Sequence, residues 1–156
     1  MIAVKDFIAK KIKKLGIKNV PVFQGGAIMH LIDSIGQIKG LDYYVPYHEQ
    51  SMAMSVDAYS RLKGIGVGCV TSGPGGTNLI TGVCCSYYDS VPCLFITGQV
   101  GQFHVKKSSE MRQRGFQETD IVSISKPITK FSYKLKNVNE IKYILEKSYY
   151  LATSGR

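Results

Sequence analysis

Strand, turn and helix signals alternate along this chain with short connections, and that alternation constrains the fold more than any other feature. Apolar side chains at Val4, Phe7, Ile8, Ile12 and Leu15 have helical spacing, and Gly16 ends the run. Residues 20–23 read as a short buried strand, Gln24-Gly25-Gly26 as a turn, and 27–35 as a second helix. A second strand over 41–45 is closed by Pro46, and a third helix spans 48–62. Then come a strand at 67–71, a glycine-rich loop at 72–77, a helix at 78–88 and a strand at 93–97. The strands are apolar with little alternation, as in a parallel sheet covered on both sides. The fold class read from this order is α/β: a doubly wound, mainly parallel sheet with helices on both faces, of the flavodoxin-like kind.

The last third is less regular. Residues 98–115 form a long polar loop with Lys106, Lys107, Arg112 and Arg114, and loops this long inside a compact domain usually carry function. A short helix is expected over 119–125, a strand over 128–135 and an amphipathic helix over 138–152. The 156 residues make one domain, without repeat or linker. A doubly wound domain normally follows such a last helix with another strand. The expectation is therefore a single domain over 1–156 that lacks its last strand, either a fragment or a subunit completed by another chain.

Charge narrows the function classes. Twenty basic residues against eleven acidic ones give a net charge of +9. The lysines are spread over the first helix and the last third, with no helix-turn-helix or zinc-finger spacing, so a solvated basic surface and no nucleic acid are expected. No apolar run approaches the roughly 18 residues of a membrane span, and the first residues lack the pattern of a secretion signal. No membrane partner and a cytoplasmic location are the expectations. Cys69, Cys84, Cys85 and Cys93 lie in apolar runs without metal-ligand spacing, which reads as buried free thiols and no metal site.

Ligands of open parallel sheets bind beyond the carboxyl ends of the strands. Those ends are Gln24-Gly25-Gly26, Tyr47-His48-Glu49-Gln50, Thr71 to Asn78, and Thr97-Gly98-Gln99, all polar or glycine-rich. The run Ser72-Gly73-Pro74-Gly75-Gly76-Thr77-Asn78 lacks the Gly-Lys-Ser/Thr of a P-loop and the Gly-x-Gly-x-x-Gly spacing. It reads either as a tight strand-to-helix turn or as a place where a flat ligand approaches the backbone. Glu49 opens a helix just after an apolar strand. It is either a carboxylate matched to the positive helix end or a general acid/base in an apolar pocket. His48 reads as a capping or packing residue, and Asp89 and Asp120 as structural.

At these motifs the sequence strongly resembles the thiamine-diphosphate enzyme family, and its acetolactate synthase branch in particular. The matching segments are Gly25-Gly26-Ala27-Ile28-Met29, His48-Glu49-Gln50, Thr71 to Gly82, Asp89-Ser90-Val91-Pro92, Ile96-Thr97-Gly98-Gln99-Val100, Phe116-Gln117-Glu118-Thr119-Asp120 and Ala152-Thr153-Ser154-Gly155-Arg156. The resemblance implies a pyrimidine-binding (Pyr) domain. It implies that Glu49 hydrogen-bonds a ring nitrogen of the cofactor's aminopyrimidine and favours its imino tautomer. Gly25, Gly26, Gly73, Pro74 and Asn78 are then cofactor-side residues. Ala27, Phe116 and Gln117 line the substrate side, with Gln117 beside Glu49 as a catalytic candidate, and Gln99 supports the rim. The implied reaction is decarboxylation of a 2-keto acid such as pyruvate and ligation of the product to a second keto acid, with the cofactor as electron sink.

The resemblance has departures. Gln24 and His30 stand where acetolactate synthases usually have proline, and the loop 102–114 is longer and more basic. The Gly-Asp-Gly motif that holds magnesium and diphosphate is absent from this chain, as is a flavin-carrying domain. The resemblance thus implies that Mg2+ is bound by a diphosphate-binding domain of the same or another subunit, that FAD belongs to a full-length protein, that the enzyme is a homo-oligomer, and that this chain alone is inactive. Two alternatives stay open: a subunit of a split 2-keto acid decarboxylase, and a non-catalytic domain for subunit association.

Overall fold

The computed structural model describes residues 2–156, and the alternation read from the sequence is present in it. Helix α1 (Val4–Lys14) leads into β1 (Asn19–Phe23), α2 (Met29–Gly36), β2 (Asp42–Tyr44), α3 (Glu49–Lys63) and β3 (Gly66–Val70). There follow α4 (Pro74–Thr77), α5 (Ile80–Tyr88), β4 (Cys93–Thr97), α6 (Ile121–Ser125) and α7 (Ile141–Thr153). All strand pairs are parallel, in the order β2-β1-β3-β4. The chain winds outward from β1 in one direction to β2 and in the other to β3 and β4. The crevice above β1 and β3 is therefore the topological switch point, where open α/β sheets bind ligands.

Successive strand residues feed two separate cores, because side chains alternate across a strand. Val20 and Val22 of β1, Val67 and Cys69 of β3, and Leu94 and Ile96 of β4 join α1 and α2 in one cluster. Phe23, Val70, Cys93 and Phe95 face the other way and join Met52, Ala53 and Val56 of α3 and Val83 of α5. Helices thus cover both faces, as the sequence predicts. On the second face α3 lies unusually close to the sheet. A Cβ on Gly66 would stand 2.3 Å from the Val56 carbonyl oxygen, and one on Gly68 would stand 2.6 Å from Met52 Sδ. Helix α5 meets α3 in the same manner, since a Cβ on Gly82 would fall 2.4 Å from Ala53 Cβ. Asp57 locks this layer: its Oδ1 accepts from Arg61 Nε at 2.6 Å and its Oδ2 from Ser86 Oγ at 2.8 Å. Arg61 Nη2 also reaches Asp89 at 2.6 Å, so Asp89 is structural, as expected.

Three expectations are corrected. No strand forms over 128–135. Residues 126–128 make a 3-10 turn and 129–137 carry no regular structure. The β-favouring composition of Ile128, Thr129, Phe131 and Tyr133 is real, but a strand needs a neighbour, and Phe131 and Tyr133 do not pair with β4; they line, with Phe95 and Ile96, a cavity of about 480 Å³. The helix expected over 78–88 starts earlier and is interrupted: Pro74, with its fixed φ, opens α4, and α5 begins at Ile80. The cysteines are free, but only Cys69 is fully buried. Cys84 and Cys93 are half-buried and Cys85 is exposed, because they lie on the rim of α5 and on the edge strand. Among the described residues, no helix is long and apolar enough to cross a membrane.

Two predictions follow from this packing. Burial pushes the Cys69 thiol up to about 12 and the Cys93 thiol up to about 11, so neither is appreciably a thiolate at pH 8. Iodoacetamide at pH 8 should label Cys85 first and leave Cys69 and Cys93 unmodified in the folded protein, as read by peptide mass spectrometry. Gly68→Ala should lower stability by about 1–3 kcal/mol through overpacking against Met52 and Val56. A urea midpoint unchanged from the wild type would show that α3 yields without cost.

Candidate functional site at the switch point

The loops that follow β1, β2, β3 and β4 converge on the carboxyl edge of the sheet. The loop after β2 ends at His48, whose extended backbone and Nδ1 cap α3 by accepting the Gln50 N–H at 3.1 Å. His48 is the capping residue the sequence suggests. Its neighbour Glu49 takes the first helical position, where a negative charge is favoured. Glu49 is only 6% exposed. Its Oε2 accepts one hydrogen bond, from Asn78 Nδ2 at 2.9 Å, and Oε1 has no hydrogen-bond donor among the described residues. Among the described residues no buried side-chain oxygen lacks a partner, so Oε1 is reached by solvent: one oxygen of Glu49 is held and the other opens at the rim.

The loop after β3 holds Asn78 in place. Gly73 is buried and has φ 61° and ψ −119°, a conformation that an L side chain rarely adopts. A Cβ there would also stand 2.5 Å from the Gln117 carbonyl oxygen. Pro74 begins the single turn α4, and the Asn78 N–H donates to its carbonyl at 2.9 Å. Gly76 abuts Ile121 of α6, where a Cβ would be 2.5 Å from Cγ1.

The loop after β1 touches the same place. A Cβ on Gly25 would fall 2.4 Å from Thr71 Oγ1, so the β1 and β3 loops meet only because Gly25 has no side chain. Gly26 has open space where a Cβ would stand. Ala27 is exposed, and its carbonyl lies against Gly98 after β4. Gln99 bonds the Thr119 carbonyl through Nε2 at 3.0 Å and so ties the β4 loop to the segment that carries Phe116 and Gln117.

The expected site residues thus fall into joined pairs. Glu49 meets Asn78, Gly25 meets Thr71, Gly73 meets Gln117, and Ala27 meets Gly98. Phe116 and Gln117 are not bonded to Glu49. Phe116 is 81% exposed, and Gln117 has φ 57°, with its carbonyl and its Cβ both against Gly73. Asp120 caps α6, accepting from Ser123 Oγ at 2.6 Å and from Ser123 N at 3.2 Å, and those bonds hold its carboxyl below the usual range. Two residues at this edge carried no role in the sequence reading. Thr71 is the surface on which Gly25 and Gly75 pack. Glu118 accepts the backbone N–H groups of Lys106, Arg114 and Gly115, which hold its carboxyl below the usual range. The 480 Å³ cavity beside β4 is a separate feature, since neither Glu49 nor Asn78 lines it.

Comparison with known proteins agrees with this geometry. The family model described as thiamine pyrophosphate enzyme, N-terminal TPP binding domain, matches residues 2–124. The acetolactate synthase large subunit of Lactococcus lactis is 39% identical over 152 residues, covering 97% of this chain and 25% of that protein. The acetolactate synthase isozyme 3 large subunit of Escherichia coli is 36% identical over 157 residues, covering 100% of this chain and 26% of that protein. The chloroplastic acetolactate synthase of Arabidopsis thaliana is 35% identical over 152 residues, with 97% and 22% covered. The chain spans about a quarter of the length of these relatives. With a parallel sheet, a glycine-lined switch point and a buried glutamate at its rim, the chain belongs to the thiamine pyrophosphate enzyme family, as its N-terminal, pyrimidine-binding domain.

Proposed function

We propose that residues 1–156 form a single pyrimidine-binding domain that supplies half of a thiamine-diphosphate site, in an enzyme that decarboxylates a 2-keto acid such as pyruvate and joins the product to a second keto acid. The observation that carries this reading is Glu49: buried at the switch point, backed by one amide on Oε2, and with Oε1 unpartnered. Those features fit an aminopyrimidine, which offers a ring nitrogen for a carboxyl group to bond. The glycine surfaces at Gly25, Gly26 and Gly73 fit a flat ring that must approach the backbone.

Thiamine diphosphate, when bound, supplies the electron sink for cleaving the bond beside a 2-keto carbonyl. The chain's own residues do the rest on this side. Glu49 shares a proton with the ring nitrogen through its free oxygen, as a general acid/base. Asn78 holds Oε2, which leaves Oε1 free to bond the ligand. Gly25, Gly26, Gly73 and Pro74 form the cofactor side, and Ala27, Phe116 and Gln117 the substrate side. Magnesium and diphosphate contacts fall to a partner domain of the same or another subunit. FAD, where it is required, also binds outside this domain. A homo-oligomeric assembly, a cytoplasmic setting with reduced thiols and an inactive isolated chain complete the proposal.

Glu49→Gln keeps the shape and removes the transferable proton. In the intact enzyme it should lower turnover of pyruvate by about 100-fold or more, with unchanged circular dichroism. Turnover near the wild-type value would sink the reading and leave an association domain. Gly73→Ala puts a Cβ against the Gln117 carbonyl and forces a positive φ on alanine. Titration calorimetry with thiamine diphosphate and magnesium should then give affinity at least about tenfold weaker, as for other lost sites of close approach. Unchanged affinity would remove Gly73 from the cofactor side.

A further inference from the structure

The segment 98–115 has little internal bonding. It holds a 3-10 turn at Gln102–His104 and a few bonds around Ser108, and most of its residues are exposed. One carboxylate closes it. Glu118 Oε1 accepts the Lys106 N–H at 2.8 Å, and Oε2 accepts those of Arg114 at 2.9 Å and Gly115 at 3.4 Å. The Glu118 N–H returns to the Gly115 carbonyl at 3.1 Å, which closes a four-residue turn with Phe116 and Gln117 at its centre. Gln117, at φ 57°, takes the left-handed position where turns prefer glycine or asparagine. An L side chain keeps that conformation only when its surroundings enforce it.

The enforcing contacts come from three directions. Gly73 blocks the Gln117 carbonyl side, Gln99 Nε2 holds the Thr119 carbonyl two residues further on, and Glu118 fastens both limbs of the loop behind the turn. We infer that Glu118 is a positioning residue: its carboxylate fixes the 115–118 turn so that Gln117 is presented at the Gly73 edge of the site. The inference rests on the reading of Gln117 as a substrate-side residue. A carboxylate suits this task because both of its oxygens accept, whereas a glutamine amide accepts at one end only and turns donors onto backbone donors at the other.

The test uses the intact enzyme and Glu118→Gln, first without cofactor. Hydrogen exchange at the amides of Lys106, Arg114 and Gly115 should accelerate about tenfold or more, while α6 keeps its protection. Steady-state kinetics with pyruvate then separate positioning from simple loop fastening. The variant should lose about tenfold in kcat/KM, but less than about threefold when introduced into Gln117→Ala, because two residues acting through one geometry do not add. Retained protection at the three amides would overturn the inference, and so would an equal loss of kcat/KM in both backgrounds. Should α6 also lose protection, Glu118→Asp provides the second arm. It keeps both accepting oxygens, and protection and kcat/KM should recover together relative to the glutamine variant; recovery of one without the other overturns the inference. If Glu49→Gln remains active, the cofactor reading fails by itself, while the exchange data still decide what Glu118 holds.

Discussion

The contact between α3 and β3 sets the position of nearly everything else at the site. Two glycines on one face of β3 let the helix backbone come down onto the sheet, with Val56 and Met52 where side chains would otherwise stand. A helix this close has little freedom to slide, because packed interiors are nearly incompressible. Its direction is dictated by the crossover from β2 to β3, which brings its first turn to the carboxyl edge of the sheet. Glu49 therefore arrives above the crevice between β1 and β3. The Gly82–Ala53 approach then draws α5 onto α3, and the loop ahead of α5 delivers Asn78 to the carboxylate.

Helix α3 carries two buried carboxylates, and their surroundings differ in kind. Asp57 has both oxygens occupied, one by a guanidinium and one by a hydroxyl, and this ties α3 to α5. Glu49 has one oxygen held and one left open at the rim. The first arrangement is complete within the chain. The second leaves one oxygen to solvent at the rim, where a ligand can replace the water. That contrast, eight residues apart on one helix, is what separates a structural acid from a candidate for chemistry.

Much of the scaffold was legible because its cause is local. The 3.6-residue spacing of α1, the apolar runs of β1, β3 and β4, and the Lys63-Gly64 stop of α3 each follow from a few adjacent residues. The glycines at the strand ends announced a tight rim, and the family resemblance singled out Glu49 within it. What escaped depends on partners distant in sequence. Residues 128–135 have strand composition, yet a ladder requires a neighbouring edge, which no local pattern specifies. Thr71 matters only because Gly25 lies against it, 46 positions earlier in the chain. Glu118 sits in a recognisable motif, but its three donors come from a loop whose path has no periodicity.

The gap beside β4 has a consequence for the solution behaviour of the domain. β4 is an edge strand of the sequence Cys-Leu-Phe-Ile-Thr, with no charge, no proline and no bulge along it. Folded proteins usually protect such an edge, because a row of unpaired backbone groups on an apolar strand is a template for another chain. Here helix α7 lies beside β4 and packs Tyr149 and Ala152 against the core, but residues of both line the cavity, and β4 stays only half-buried. The edge that would let the sheet grow is thus an uncharged one, and the domain's colloidal stability depends in part on what keeps that strand from meeting a copy of itself.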